Sequence, residues 1–80
     1  MPRYFFHFSD GKRTFTDNTG NEFAGLGDAR KHAVSQVREL KAAISEQKIQ
    51  NWVGWKIVVV DANGKAVLEV GFDLTPRPLN

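Results

Sequence analysis

The run from Leu26 to Ile49 constrains the fold more than any other part of the chain, because it is the one stretch long and periodic enough for a helix. Leu26, Ala29, Ala33, Val37, Leu40 and Ile44 recur in steps of three and four, and Val34 widens the stripe they draw. Lys31, His32, Ser35, Arg38, Glu39, Ala42 and Glu46 fall on the opposite face, which is expected to meet water. Gly25 stands at the expected N-cap, Gly27 weakens the first turn, and Asp28 brings a carboxylate to the helix N-terminus. The helix is expected to end between Gln47 and Gln50.

Strand patterns flank the helix on both sides. Arg3 to Ser9 alternates Tyr4, Phe6 and Phe8 with Arg3, Phe5 and His7, and Asp10-Gly11 suits a two-residue hairpin turn. That turn sets Phe6 opposite Phe15 and Phe8 opposite Arg13, so Phe15 joins the face of Tyr4, Phe6 and Phe8, taken as core. Asp17 to Gly25 reads as a connection, with Phe23 tucking back onto the core. Trp55 to Asp61 is apolar on both faces, and Asn63-Gly64 signals a second hairpin. A two-residue loop there pairs Val59 with Leu68, Ile57 with Val70 and Val60 with Val67. A four-residue loop keeps the same facing and sets Lys56 opposite Glu69, whereas an unbulged three-residue loop turns Glu69 against Ile57.

The order β-β-α-β-β, with the hairpins joined in parallel across the helix, predicts an α+β two-layer sandwich: a four-stranded sheet with one helix on one face. Residues 1–75 form a single domain, and 76–80, rich in proline, are read as a tail with nothing to pair with. At 80 residues such a domain buries only about 60% of its unfolded surface, so extra burial against a partner is valuable. There is no cysteine, which removes disulfides, thiolate nucleophiles and cysteine zinc sites. No apolar run reaches a membrane span, and Met1-Pro2-Arg3 leads straight into an aromatic strand, so a cytoplasmic location is expected. The net charge of +2 is a small excess, its Lys and Arg scattered among the acids.

Candidate chemistry is sparse. Asp28 and His32 lie four apart and are expected to form a surface ion pair; His7 faces away from the core beside Thr14, with no second histidine in its register. Ser9, Ser35 and Ser45 occupy no nucleophile elbow, and Gly20, Gly25 and Gly27 lack the Gly-Lys-Ser/Thr of a phosphate loop. Trp52 and Trp55 could form an aromatic clamp for a base or sugar, but Trp55 shares the core face with Ile57, which leaves Trp52 the freer of the two for such a role. These patterns supply no catalytic, metal or cofactor site, and a non-enzymatic module is expected.

The sheet face away from the helix is the best surface. It should display Arg3, Phe5, His7, Lys12, Thr14, Lys56, Val58, Val60, Val67 and Glu69, of which Arg3, Phe5, His7, Lys56, Val58, Val60 and Val67 are the candidate interaction residues. An aliphatic centre with a charged rim points to a homodimer or another protein partner. The alternative is weak nucleic-acid binding, with bases stacked on Phe5 and His7 and phosphates met by Arg3 and Lys56.

The chain also resembles a family of small uncharacterised bacterial proteins, typical of rhizobia-like alphaproteobacteria, defined only as a domain of unknown function. The resemblance rests on Met1-Pro2-Arg3-Tyr4-Phe5-Phe6, Asp10-Gly11, Asp17 with Gly20 and Glu22, and Ala29-Arg30 with Ala33. It continues through Trp52-x-Gly54-Trp55-x-Ile57-x-Val59-x-Asp61-x-x-Gly64 and Leu68-x-Val70-x-Phe72. It implies a bacterial, cytoplasmic protein and brings no activity, cofactor or catalytic residue with it. Gly25, Val58 and Val60 depart from the family pattern, and the two valines make this sheet face stickier.

Overall fold

The computed structural model describes residues 2–44, 54–72 and 76–78, with residue 44 and residues 76–78 described by their backbone alone. The elements run β1 (Arg3–Asp10), β2 (Thr14–Phe15), β3 (Asn21–Glu22), α1 (Leu26–Ile44), β4 (Trp55–Val60), β5 (Ala66–Gly71) and β6 (Pro76–Pro78). One helix packs on one antiparallel sheet, the expected α+β architecture. The sheet order is β2-β1-β4-β5-β6, with β3 also paired to β1, two strands more than the four foreseen. The crossover through α1 does link strands that run the same way, β3 and β4. Because β1 lies between them, the junction of the two hairpins in the sheet is antiparallel: Phe5 pairs with Val60, His7 with Val58 and Ser9 with Lys56.

The helix begins as its sequence indicates, with the Gly25 carbonyl accepting the Ala29 N–H at 3.2 Å. Its Ala29, Ala33 and Val37 are completely buried against Ile57, Val59, Leu68 and Val70, and the two alanines let the helix axis approach the strands. α1 lies over β4 and β5, where Lys41 Nζ donates to the Phe72 carbonyl at 2.7 Å near the helix C-terminus. Leu26, the first residue of the expected stripe, is 40% exposed. The expected helix end at 47–50 lies outside the described residues. Nothing stands within 4 Å of a Cβ added to Gly27, so Gly27→Ala is expected to stabilise the domain by about 0.5 kcal/mol, read as a raised melting temperature.

Both hairpins keep the expected facing, and their turns differ from the simplest reading for one reason. In the first, Phe8 pairs with Phe15 and Ser9 with Thr14, two residues out of the expected register. Asp10 opens the turn instead of sitting at its centre, because its Oδ1 accepts the N–H groups of Lys12 at 2.9 Å and Arg13 at 2.8 Å. These bonds hold its carboxyl below the usual carboxylate range. In the second, Asp61 Oδ1 does the same for Asn63 and Lys65, both at 2.9 Å, and Gly64 takes a positive φ of 82°. The loop is therefore three residues, and a bulge after Val59 restores the facing. Ile57–Val70, Val58–Glu69 and Val59–Leu68 pair as the two-residue reading has them, while Val60 pairs with Ala66 and not Val67.

Three further expectations are corrected. Phe15 points to the helix side but stays 52% exposed, stacked on Phe8 with centroids 5.6 Å apart, because α1 does not reach over β2. His32 is not on the wet face and makes no ion pair with Asp28. It packs edge-on against Phe6 at 4.9 Å and beside Phe23 at 5.2 Å, and its Nε2 is buried without a hydrogen-bond partner. The 76–78 segment does pair, antiparallel to β5, with Glu69 opposite Arg77; proline is tolerated there because the strand lies on a sheet edge.

Candidate functional site

The surface away from α1 is built by strand alternation. Because Ile57 and Val59 are buried under the helix, Lys56, Val58 and Val60 of β4 turn outward, beside Phe5 and His7 of β1 and Glu69 of β5. The cross-strand pairs Phe5–Val60, His7–Val58 and Val58–Glu69 bring five of these side chains into one patch. All five are half-buried in the single chain. Arg3 stands exposed at its rim, and Lys56 flanks Val58. Val67, the residue left over at the bulge, packs against the core cluster.

Both cations of this face are engaged. Lys56 Nζ lies 3.1 Å from Glu69 Oε1; Arg3 Nη2 lies 3.6 Å from Glu22 Oε1, and Arg3 Nη1 donates to the Thr19 carbonyl at 2.8 Å. Exposed pairs of this kind contribute only about 0–1 kcal/mol each to stability, but they make the rim electrically neutral.

A loop folded on Asp17 shapes the β1 end of the face. β2 and β3 both pair with β1, in registers offset by two residues, so the chain between them bows outward. Asp17 fills the gap in the ladder: its Oδ2 accepts the Phe6 N–H at 3.1 Å, and its Oδ1 accepts those of Thr19 and Gly20, each at 3.0 Å. The Asp17 N–H donates to His7 Nδ1 at 3.0 Å, which ties the imidazole of β1 to the start of the loop. Burial pushes the Asp17 carboxyl up, but the N–H groups of Gly20, Phe6 and Thr19, with His7 alongside, outweigh it and hold the carboxyl below its ordinary value. Gly20, at φ 71°, is buried against Tyr4 and the Phe5 ring. The Asp17, Gly20 and Glu22 contacts are new relative to the sequence reading; an Asp three residues before a Gly was the available signal.

His7 and His32 are thus both accounted for by packing and loop closure, on opposite sides of the sheet. Among the described residues, no three His, Asp or Glu side chains gather closely enough to hold a metal ion. A Cβ added at Gly25 or Gly27 would meet nothing within 4 Å, so neither marks a close backbone approach, and Trp55 packs with Phe8 and Phe72 in the core's aromatic corner. Ser45 and Trp52 lie outside the described residues. On the helix side, a groove of about 340 Å³ runs between α1 and β1, lined by Phe6, Phe8, Leu40 and Ile57 with Gln36 and Glu39 at its rim. No helix among the described residues is long and apolar enough to cross a membrane.

Residues 3–73 match the profile of a family described as a domain of unknown function, DUF6894. No curated protein and no solved structure matches the chain.

Proposed function

Since the chain belongs to this domain-of-unknown-function family, from which no activity can be inherited, we propose from geometry that it is a non-enzymatic interaction module of a bacterial cytoplasm that self-associates through its open sheet face. The observation that carries this reading is the neutral, half-buried aliphatic centre at Val58 and Val60, whose rim cations are already satisfied by Glu22 and Glu69. Such a patch complements itself readily about a two-fold axis, and a domain this small gains from covering it. The alternative, nucleic acid on Arg3, Phe5, His7 and Lys56, has less support. Each cation would first have to leave its carboxylate, and the Phe5 ring lies against Gly20 instead of standing free to stack on a base.

Sedimentation equilibrium tests the proposal. The native chain is expected to dimerise, and Val58→Lys, which sets an unpaired ammonium in the contact, to weaken the dimer at least about tenfold, equivalent to 1.4 kcal/mol. A native monomer at high micromolar concentration would sink self-association, and a dimer indifferent to Val58→Lys would move the contact to a sheet edge.

A further inference from the structure

The scatter of Lys and Arg along the sequence disappears when the helix is wound. At 100° per residue, Arg30, Lys41, Val34, Arg38 and Lys31 fall in that angular order on one flank of α1, while Asp28 and Glu39 fall on the other. Two contacts orient the flanks: Lys41 reaches the Phe72 carbonyl at the end of β5, and Glu39 lines the groove beside β1. Four cations against two acids give α1 the same excess as the chain's whole net charge of +2. Arg30, Lys31 and Arg38 are exposed, and among the described residues no carboxylate lies within ion-pair distance of them, in contrast to Arg3 and Lys56. Between them, with Val34 and Ser35, lies an open depression of about 410 Å³.

We infer that this flank of α1, with Arg30, Lys31, Ser35 and Arg38 as its donors, is a binding surface for the phosphate backbone of a nucleic acid. Two guanidinium groups and an ammonium without acid partners attract a polyanion, and guanidinium forks match phosphate oxygens bidentately. Arg30 and Arg38 stand about 12 Å apart along the axis at 1.5 Å per residue, which, laid along a duplex axis, covers three or four phosphates of one strand at about 3.4 Å of axial rise each. A regular array of charge meets both ends of the flank at once, which an acidic protein does only if its carboxylates are suitably arranged. The flank carries no aromatic side chain, so its contacts are to backbone and not to stacked bases, and binding is indifferent to sequence. This surface is separate from the sheet face and leaves self-association there unaffected.

Fluorescence anisotropy with a labelled duplex, and with one of its strands alone, tests the inference. Neutralising about three phosphates gives a slope of about −2.7 for log K against log salt on the duplex, so affinity should fall about 40-fold between about 50 and 200 mM. Arg30→Gln with Arg38→Gln should flatten the slope to about −0.9, whereas Arg3→Gln with Lys56→Gln should leave it unchanged. The single strand should show the same dependence on Arg30 and Arg38 with a shallower slope. All three flank residues are exposed, and Lys31→Gln provides an independent arm, expected to reduce the slope by about 0.9. No binding to either oligonucleotide at low salt would overturn the inference, as would a slope unchanged in the double variant. Polyglutamate displacing the duplex at equal charge would reassign the flank to an acidic protein.

Discussion

Gly20→Ala is expected to lower the stability of this domain by about 2–4 kcal/mol, a fall in melting temperature of more than about 10 °C for a chain of this size. Two costs combine at that position. At φ 71° an L side chain pays the left-handed penalty of about 1–2 kcal/mol. The added Cβ would also stand 2.8 Å from the Tyr4 carbonyl oxygen and 2.9 Å from the Phe5 ring, so either the strand or the loop must shift. Overpacking of that kind costs about 1–3 kcal/mol. Gly64→Ala separates the two costs, since Gly64 has φ 82° and open space where its Cβ would go. Chemical denaturation of both variants therefore reads the contact as a difference. If Gly20→Ala were no worse than Gly64→Ala, the loop would not be pressed against β1 at all.

The helix, the four strands of the two hairpins and their facing were legible because alternation and 3.6-residue periodicity record which side of an element is apolar, whereas β3 and β6 are too short to show either pattern. Facing is not burial, however. Phe15 faces the helix layer as its pattern demands, yet its exposure depends on where α1 comes to rest, and that is decided by the alanines that seat the helix over β4 and β5. The register at Asp10-Gly11 was out by two residues, an error that alternation cannot expose because a shift of two returns every side chain to its own face. What decided it was a preference of the aspartate: Asp10 and Asp61 both open their turns so that one carboxylate oxygen collects two backbone N–H groups. The sheet-face residues were readable individually, since outward positions follow from buried neighbours. Their electrostatics were readable only in part: Lys56 beside Glu69 was one of the two loop readings and is reached here by a diagonal from the Lys56–Gly71 pair, whereas Glu22 reaches Arg3 only after β3 pairs with β1. The cationic flank was hidden for the opposite reason: charges spread over nine positions in sequence fall on one side of a helix.

Asp17 is the second position where a large effect is expected, and its pH dependence gives the test its specificity. Removing the carboxylate in Asp17→Ala strands the N–H groups of the buried Phe6 and Gly20, at about 1 kcal/mol or more each, while water can replace the bond to the exposed Thr19, so a loss of about 2 kcal/mol is expected. Asp17→Asn should cost less, about 1–2 kcal/mol, because one oxygen can still serve Thr19 and Gly20 while the amide nitrogen meets the Phe6 N–H, donor against donor. The carboxyl of Asp17 is held below its ordinary value in the folded chain, so its stabilising effect is fully present above the unfolded value of about 3.9 and is lost as pH falls through the folded value. The gap between native and Asp17→Asn unfolding free energies should therefore be constant from neutral pH down to about 5 and close below about 3.9. Asp10, whose carboxyl is also lowered, adds to the acid limb of both proteins equally and cancels in the difference. A gap that stayed constant to pH 2 would mean that the bonds to Phe6, Thr19 and Gly20 do not depend on the charge of Asp17, and that the loop is held on β1 by Gly20 and Phe23 packing alone.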